Sequence, residues 1–233
     1  LIKEFLDAEL GWSNETFGWV NGAFQLAYAV GLLVFGWFVD RYGTKLGYAV
    51  SIVLWSLSAI GHAFVGSVNG FFTARVALGF SEGGNFPSAI KAVALWFPKK
   101  ERAFATSIFN AGTNVGAIIA PAMIPAIAIN FGWRWTFILA GLAGFVWLFF
   151  WFPMYDIPEK RRNLTKAEYE LIHSDKEEGG TGGRPMGPIR ALKLPQTWSF
   201  LTAKFLTDPV WWFFLIWLPD YFRATRGLSI KHS

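Results

Sequence analysis

The chain has 233 residues, 53% hydrophobic, 18% aromatic and 16% charged, with a net charge of +5. Soluble domains average about 25% charged residues, so much of this chain is built for lipid rather than water. It contains no cysteine, which excludes disulfides, thiolate nucleophiles and cysteine-based metal sites.

Residues 1–15 are polar and mixed in charge. Six apolar spans follow, at 16–39, 46–65, 71–96, 103–129, 133–154 and 197–222, each long enough to cross a bilayer as a helix. The chain therefore reads as an all-α membrane protein. The thirteen Trp and twenty-four Phe suit lipid contact and interfacial belts. Residues 155–195 are polar, with a flexible Gly-rich patch at 179–183. Within them Thr165 can cap a short amphipathic helix running to about Lys176, with Glu168 three residues on. The chain starts without Met or a signal peptide and ends in a polar tail at 227–233, so it reads as a piece of a longer protein.

Arg and Lys set the orientation. The segments 40–45, 98–102 and 155–195 carry Arg41, Lys45, Lys99, Lys100, Arg102, Lys160, Arg161, Arg162, Lys166, Lys176, Arg184, Arg190 and Lys193. The opposite loops carry Lys3, Arg134, Arg223, Arg226 and Lys231. The first set is expected in the cytoplasm, and the charge reads as topology rather than nucleic-acid binding.

The third span holds Arg75 and Glu82. Seven residues place both on one helix face, ~10 Å apart along the axis. That is too far for a simple ion pair. Charges at such depth are costly and usually line a polar pathway. Arg75 offers a planar fork to a carboxylate. Glu82 can take up a proton, and is the expected proton-coupling residue. Lys91, on the opposite face, is expected to snorkel toward the cytoplasmic end. In the sixth span Lys204 and Asp208 are one turn apart and suit a pair. Pro209 disfavours helix at Asp208. The two residues mark either a broken helix at a binding site or an ion pair at a harmless kink. Tyr28, Asn110 and Asn114 carry hydrogen-bond donors within apolar spans, and the Asn pair equally suits bonds between helices. Gly79, Gly83, Gly84, Gly112 and Gly116 read as close helix packing. His62, His173 and His232 are dispersed without metal-ligand spacing. No set of nucleophile, base and orienting group can be assembled, so an enzyme is not expected, and no cofactor or metal is implied.

Five motifs stand in order: Gly36-x-x-x-Asp40-Arg41-x-Gly43-x-Lys45, Arg75-x-x-x-Gly79-x-x-Glu82, Trp96-Phe97-Pro98-x-x-Glu101-Arg102, Asn110-x-Gly112-x-Asn114-x-Gly116-x-x-x-x-Pro121, and Lys204-Phe205-Leu206-Thr207-Asp208-Pro209-x-Trp211. Together they resemble the major facilitator superfamily, and within it the anion:cation symporter branch and its hexuronate-transporter-like members. The resemblance covers nearly the whole chain. It implies a twelve-helix fold in two halves, of which this chain holds helices two to seven. Residues 1–154 would be most of the first half without its first helix, 155–195 a cytoplasmic loop, and 196–233 the first helix of the second half. It further implies a gate at Asp40, Arg41, Gly43 and Lys45, with Gly36 allowing close helix approach and Gly43 a tight turn. The expected substrate contacts are Arg75, Tyr28, Asn110, Asn114 and Lys204, with Tyr28, Asn110 and Asn114 offering donors to sugar hydroxyls and the role of Tyr28 implied by the resemblance.

The expected function is proton-coupled symport of a small organic anion, a hexuronate such as galacturonate or glucuronate, across the inner membrane by a protein working as a monomer at full length. Transport of an aromatic or dicarboxylic acid, or a non-transporting anion sensor, are the alternatives.

Overall fold

The computed structural model describes residues 2–161, 163–174 and 188–226, and no strand occurs among them. The Gly-rich patch at 179–183 and the tail at 227–233, with His232, lie outside the described residues. The chain divides into two compact units, Leu1–Asp175 and Lys176–Ser233.

In the first unit α1 covers Lys3–Leu10 and α2 covers Asn14–Tyr42. Ser13 caps α2 by accepting from the Thr16 N–H at 3.1 Å. At the far end Gly43 has φ of 90°, a conformation that a side chain would strain, and the chain reverses at once into α3, Thr44–His62. Helix α4 is Val68–Glu82 and α5 is Asn85–Trp96. Helix α6, Lys99–Phe131, runs on through Pro121 and Pro125 and is followed at Gly132 by α7, Trp133–Met154. Helix α8, Lys166–His173, begins with the expected capping box between Thr165 and Glu168. The second unit holds α9, Pro188–Ala191, then α10, Pro195–Trp212, a π-helical stretch Phe213–Trp217, and α11, Leu218–Arg226.

Four described helices, α2, α3, α6 and α7, are long and apolar enough to cross a membrane. The third expected span is divided between α4 and α5, so neither half has that length. The sixth is diluted by Lys204, Asp208 and several hydroxyl side chains. Outward apolar residues remain uncovered: Leu33 is 75% exposed, Ile118 77% and Phe149 76%. Lipid tails cover such residues at no cost, and water does not.

Packing in the first unit follows small residues. Helix α4 packs on α2 and α3, and α7 packs on α3 and α6. A Cβ on Gly83 would lie 2.6 Å from the Gly31 carbonyl carbon, and one on Gly141 would lie 2.6 Å from the Ser56 oxygen. Gly79 faces the Phe24 carbonyl in the same way. Backbones approach this closely in lipid because packing and polar contacts, not the hydrophobic effect, hold the helices together. Ser51 Oγ adds such a contact, donating to the Ser81 carbonyl at 2.7 Å. Gly36, Gly112 and Gly116 differ from expectation: nothing described lies within 4 Å of a Cβ at any of them. Small size alone does not tell a packed face from an open one.

At the end opposite the 40–45 segment, α1 seals the helix ends. Leu6, Trp12, Val20, Phe71, Ala128 and Trp133 form one buried cluster. Glu9 accepts from Trp133 Nε1 at 2.6 Å and from both terminal nitrogens of Arg134. These hydrogen bonds, those from Arg134 first, hold the Glu9 carboxyl below the usual carboxylate range.

Candidate functional site

Glu82 is the last residue of α4, and the helix is interrupted immediately after it. Two local causes act together. Gly83 and Gly84 tolerate a turn, and Pro87 has no N–H to bond the Gly83 carbonyl four residues back. The Gly84 N–H instead bonds Ser81 O at 3.2 Å, and α5 restarts at Asn85. Glu82 thereby stands at a helix break. With Trp55, Ser51 and Tyr48 of α3, Asn85 of α5, and Gly144 and Trp147 of α7, it lines a cavity of about 320 Å³.

Arg75 lies on the same helix within electrostatic reach of Glu82, with no ion pair between them. Its guanidinium carbon sits 5.4 Å from the Phe71 ring centroid and 6.0 Å from that of Phe137. Cations are held over aromatic faces at such distances. Its Nε is buried without a hydrogen-bond partner among the described residues. Arg75 is not among the cavity residues, so the two charged groups share a helix but have different surroundings.

At the other end of the bundle the 40–45 segment is tied in by two residues that the motifs had not singled out. Lys91 Nζ lies 2.8 Å from Asp40 Oδ1 and 3.0 Å from the Val39 carbonyl. Its ammonium does more than reach polar surroundings: it joins α5 to the end of α2. Asp156, just beyond α7, pairs with Lys45 at 3.1 Å. The Ile157 N–H, and then Lys45, hold the Asp156 carboxyl below its usual range. Trp96 Nε1 donates to the Asp156 carbonyl at 3.0 Å, and Trp151 Nε1 to the Lys45 carbonyl at 3.1 Å. Arg41 is exposed. A lone cation near the end of the third span and an acid just past the fifth were the available signals for Lys91 and Asp156.

Tyr28, Asn110 and Asn114 of the first unit are not among the residues lining this cavity. Tyr28 is half-buried on α2, stacked on Phe24 with centroids 6.4 Å apart. Asn110 and Asn114 are exposed on one face of α6. In the second unit Lys204 Nζ lies 2.7 Å from Asp208 Oδ1, the i,i+4 pair the spacing suggested. The break expected at Asp208 and Pro209 does not occur there. Helix α10 continues through Pro209 to Trp212, and the irregularity appears beyond it as the π-helical stretch. A single proline removes one hydrogen bond and bends a helix, whereas ending one takes more, as Gly83, Gly84 and Pro87 show. Among the described residues no group of three or more His, Asp or Glu could hold a metal ion.

The family profile described as Major Facilitator Superfamily matches residues 1–233. The chain is 32% identical over 225 residues to the hexuronate transporter of Escherichia coli strain K12, covering 96% of this chain and 52% of that protein. It is 31% identical to the galacturonate transporter of Dickeya chrysanthemi, with 97% and 66% covered. To the D-galactonate transporter of Escherichia coli O6:H1 it is 27% identical, with 96% and 54% covered. The chain thus spans between half and two thirds of the length of these relatives.

Proposed function

The chain belongs to the major facilitator superfamily, and from that premise we propose that it forms part of a twelve-helix secondary transporter that carries a sugar acid together with a proton. The observation that carries this reading is Glu82, which lines a cavity at the interruption between α4 and α5, while Arg75 stands seven residues earlier on the same helix and outside the cavity lining. An acid at a helix break inside the membrane is positioned to take up and release a proton. An arginine in an aromatic setting presents a fixed cation to a carboxylate. Relatives named for hexuronate, galacturonate and D-galactonate share that carboxylate on a polyhydroxylated chain, which supports a sugar acid as the substrate class and galacturonate or glucuronate as the first to test.

In the proposed cycle Glu82 is protonated from outside, the anion binds at Arg75, and the paired charges allow the halves to rock to the inward-facing state. Release then reverses both steps. Residues 155–195 and the Asp40–Lys91 and Lys45–Asp156 pairs lie on the cytoplasmic side in this reading. The protein sits in the inner membrane, works as a monomer and performs no chemistry on its substrate.

The test is uptake into proteoliposomes by the full-length protein, across a panel of sugar acids, with and without an imposed pH gradient. Glu82→Gln is expected to abolish gradient-driven accumulation and to keep substrate exchange. Arg75→Lys is expected to weaken binding, because an ammonium lacks the planar fork. Accumulation by the Glu82→Gln variant, or unchanged affinity in both Arg75→Lys and Arg75→Ala, overturns the assignment.

A further inference from the structure

We propose that His62 is a positioning residue for Arg75: its Nε2 and the Arg75 Nε–H are bridged by one shared water, which fixes how the guanidinium faces the substrate. The inference rests on the reading of Arg75 as the carboxylate site.

His62 is the last residue of α3 and is fully buried, at 0% exposure. Its ring stacks on Phe137, with centroids 4.6 Å apart and planes at 10°. It meets Phe71 edge-on at 4.9 Å and 85°. These are the two rings over which the Arg75 guanidinium lies. One aromatic enclosure, built from α3, α4 and α7, therefore holds an imidazole and a guanidinium within electrostatic reach of each other.

The hydrogen bonding inside this enclosure is incomplete in a complementary way. His62 Nδ1 lies 2.7 Å from the Ser58 carbonyl oxygen. A carbonyl only accepts, so Nδ1 carries the hydrogen, and in the neutral ring Nε2 is left as an acceptor. That Nε2 is buried without a partner among the described residues, and so is the Nε of Arg75. An arginine Nε–H only donates. An unpaired acceptor and an unpaired donor against the same two rings are satisfied together by one shared water. Anchoring Nε fixes rotation of the guanidinium plane, and the two terminal amino groups are then held as a fork for an incoming carboxylate.

The substitutions that test this separate the two ring nitrogens. His62→Phe keeps the aromatic stack and removes the acceptor. His62→Asn replaces the group that bonds Ser58 and does not reach the Nε2 position. His62→Gln extends a carboxamide oxygen to where Nε2 stood. In the full-length protein, His62→Phe and His62→Asn are expected to raise KM for galacturonate about tenfold, near the worth of one well-aligned charged hydrogen bond, with Vmax little changed. His62→Gln is expected to restore KM. A second readout needs no substrate. In protein labelled with ¹⁵N-arginine, the Arg75 Nε–H signal, assigned by its loss in Arg75→Lys, is expected to exchange slowly in the wild type and the Gln variant and rapidly in the Phe and Asn variants. An unmoved Nε–H signal in His62→Phe, or a Gln variant as impaired as the Asn variant, overturns the proposal. If His62→Phe does not accumulate, the Gln and Asn pair decides. Unchanged affinity in Arg75→Ala would instead overturn the carboxylate reading, while the Nε–H signal would still report on the His62 contact.

Discussion

Lys91 and Asp40 join α5 to the end of α2: Nζ lies 2.8 Å from Oδ1 and 3.0 Å from the Val39 carbonyl. The Val39 carbonyl also accepts the Gly43 N–H at 3.0 Å. A cation at the C-terminal end of a helix is favoured by the exposed carbonyls there. The Asp40 side chain is 68% exposed, so solvent screens the ion pair and limits its worth to below about 1 kcal/mol. Lys91→Met is therefore expected to lower the melting temperature only slightly and to slow exchange of substrate across the membrane, while Lys91→Arg preserves both. Wild-type exchange in Lys91→Met would confine the pair to a solvated surface contact.

Gly83→Ala is expected to destabilise the first unit by about 1–3 kcal/mol, the usual cost of overpacking. The added methyl would meet the Gly31 and Leu32 backbone at 2.6 Å, and backbone atoms cannot rotate aside. Thermal unfolding in detergent measures the loss. Gly116→Ala is the contrast, because nothing described lies within 4 Å of its Cβ. A large loss there in the full-length protein would show that another segment covers that face of α6.

The contact of Glu9 with Trp133 and Arg134 has a definite pH dependence. Folding lowers the pKa of this carboxyl. Its stabilisation is therefore present above the pKa of the unfolded chain and is lost as pH falls through the folded-state value. Glu9→Gln is expected to reduce the melting temperature at pH 7, with the difference from wild type shrinking as the pH is taken below the usual carboxylate range. A difference that stays constant down to such pH would mean that shape, not charge, matters at Glu9.

Lys204 and Asp208 are expected to be coupled. Their 2.7 Å pair lies one turn apart on α10, in a span read as crossing lipid, where a lone charge is costly. Asp208→Ala alone should reduce folded yield more than the double change with Lys204→Ala. Strictly additive losses in this double-mutant cycle would show two independent polar residues.

Much of the helical layout was legible in the sequence because its causes are local. Apolar runs of membrane length became α2, α3, α6 and α7, and Thr165 with Glu168 announced α8. The i,i+4 spacing of Lys204 and Asp208 announced their pair. Glu82 stood out because a carboxylate within an apolar run needs a reason wherever the fold puts it. The helix break falls elsewhere than expected for a local reason too: the sequence reading weighs Pro209 as a breaker, takes Gly83 and Gly84 only as close packing, and leaves Pro87 unweighed.

What the sequence by itself determined is which residues enter the apolar phase and which charges go with them, since transfer from water depends on each segment's own composition. What only the tertiary structure decided is the partnership of those charges. Lys91 meets Asp40, Asp156 meets Lys45, and His62 shares the Phe71 and Phe137 rings with Arg75. Each pairing joins residues from different parts of the bundle, and none joins neighbours along one helix. Its existence depends on how α2, α3, α4, α5 and α7 cross and rotate, which the Gly31–Gly83 and Ser56–Gly141 approaches help to set. Helix periodicity assigns a side chain to a face but not to the helix that face meets, and a distance between two helices is a property of neither sequence alone.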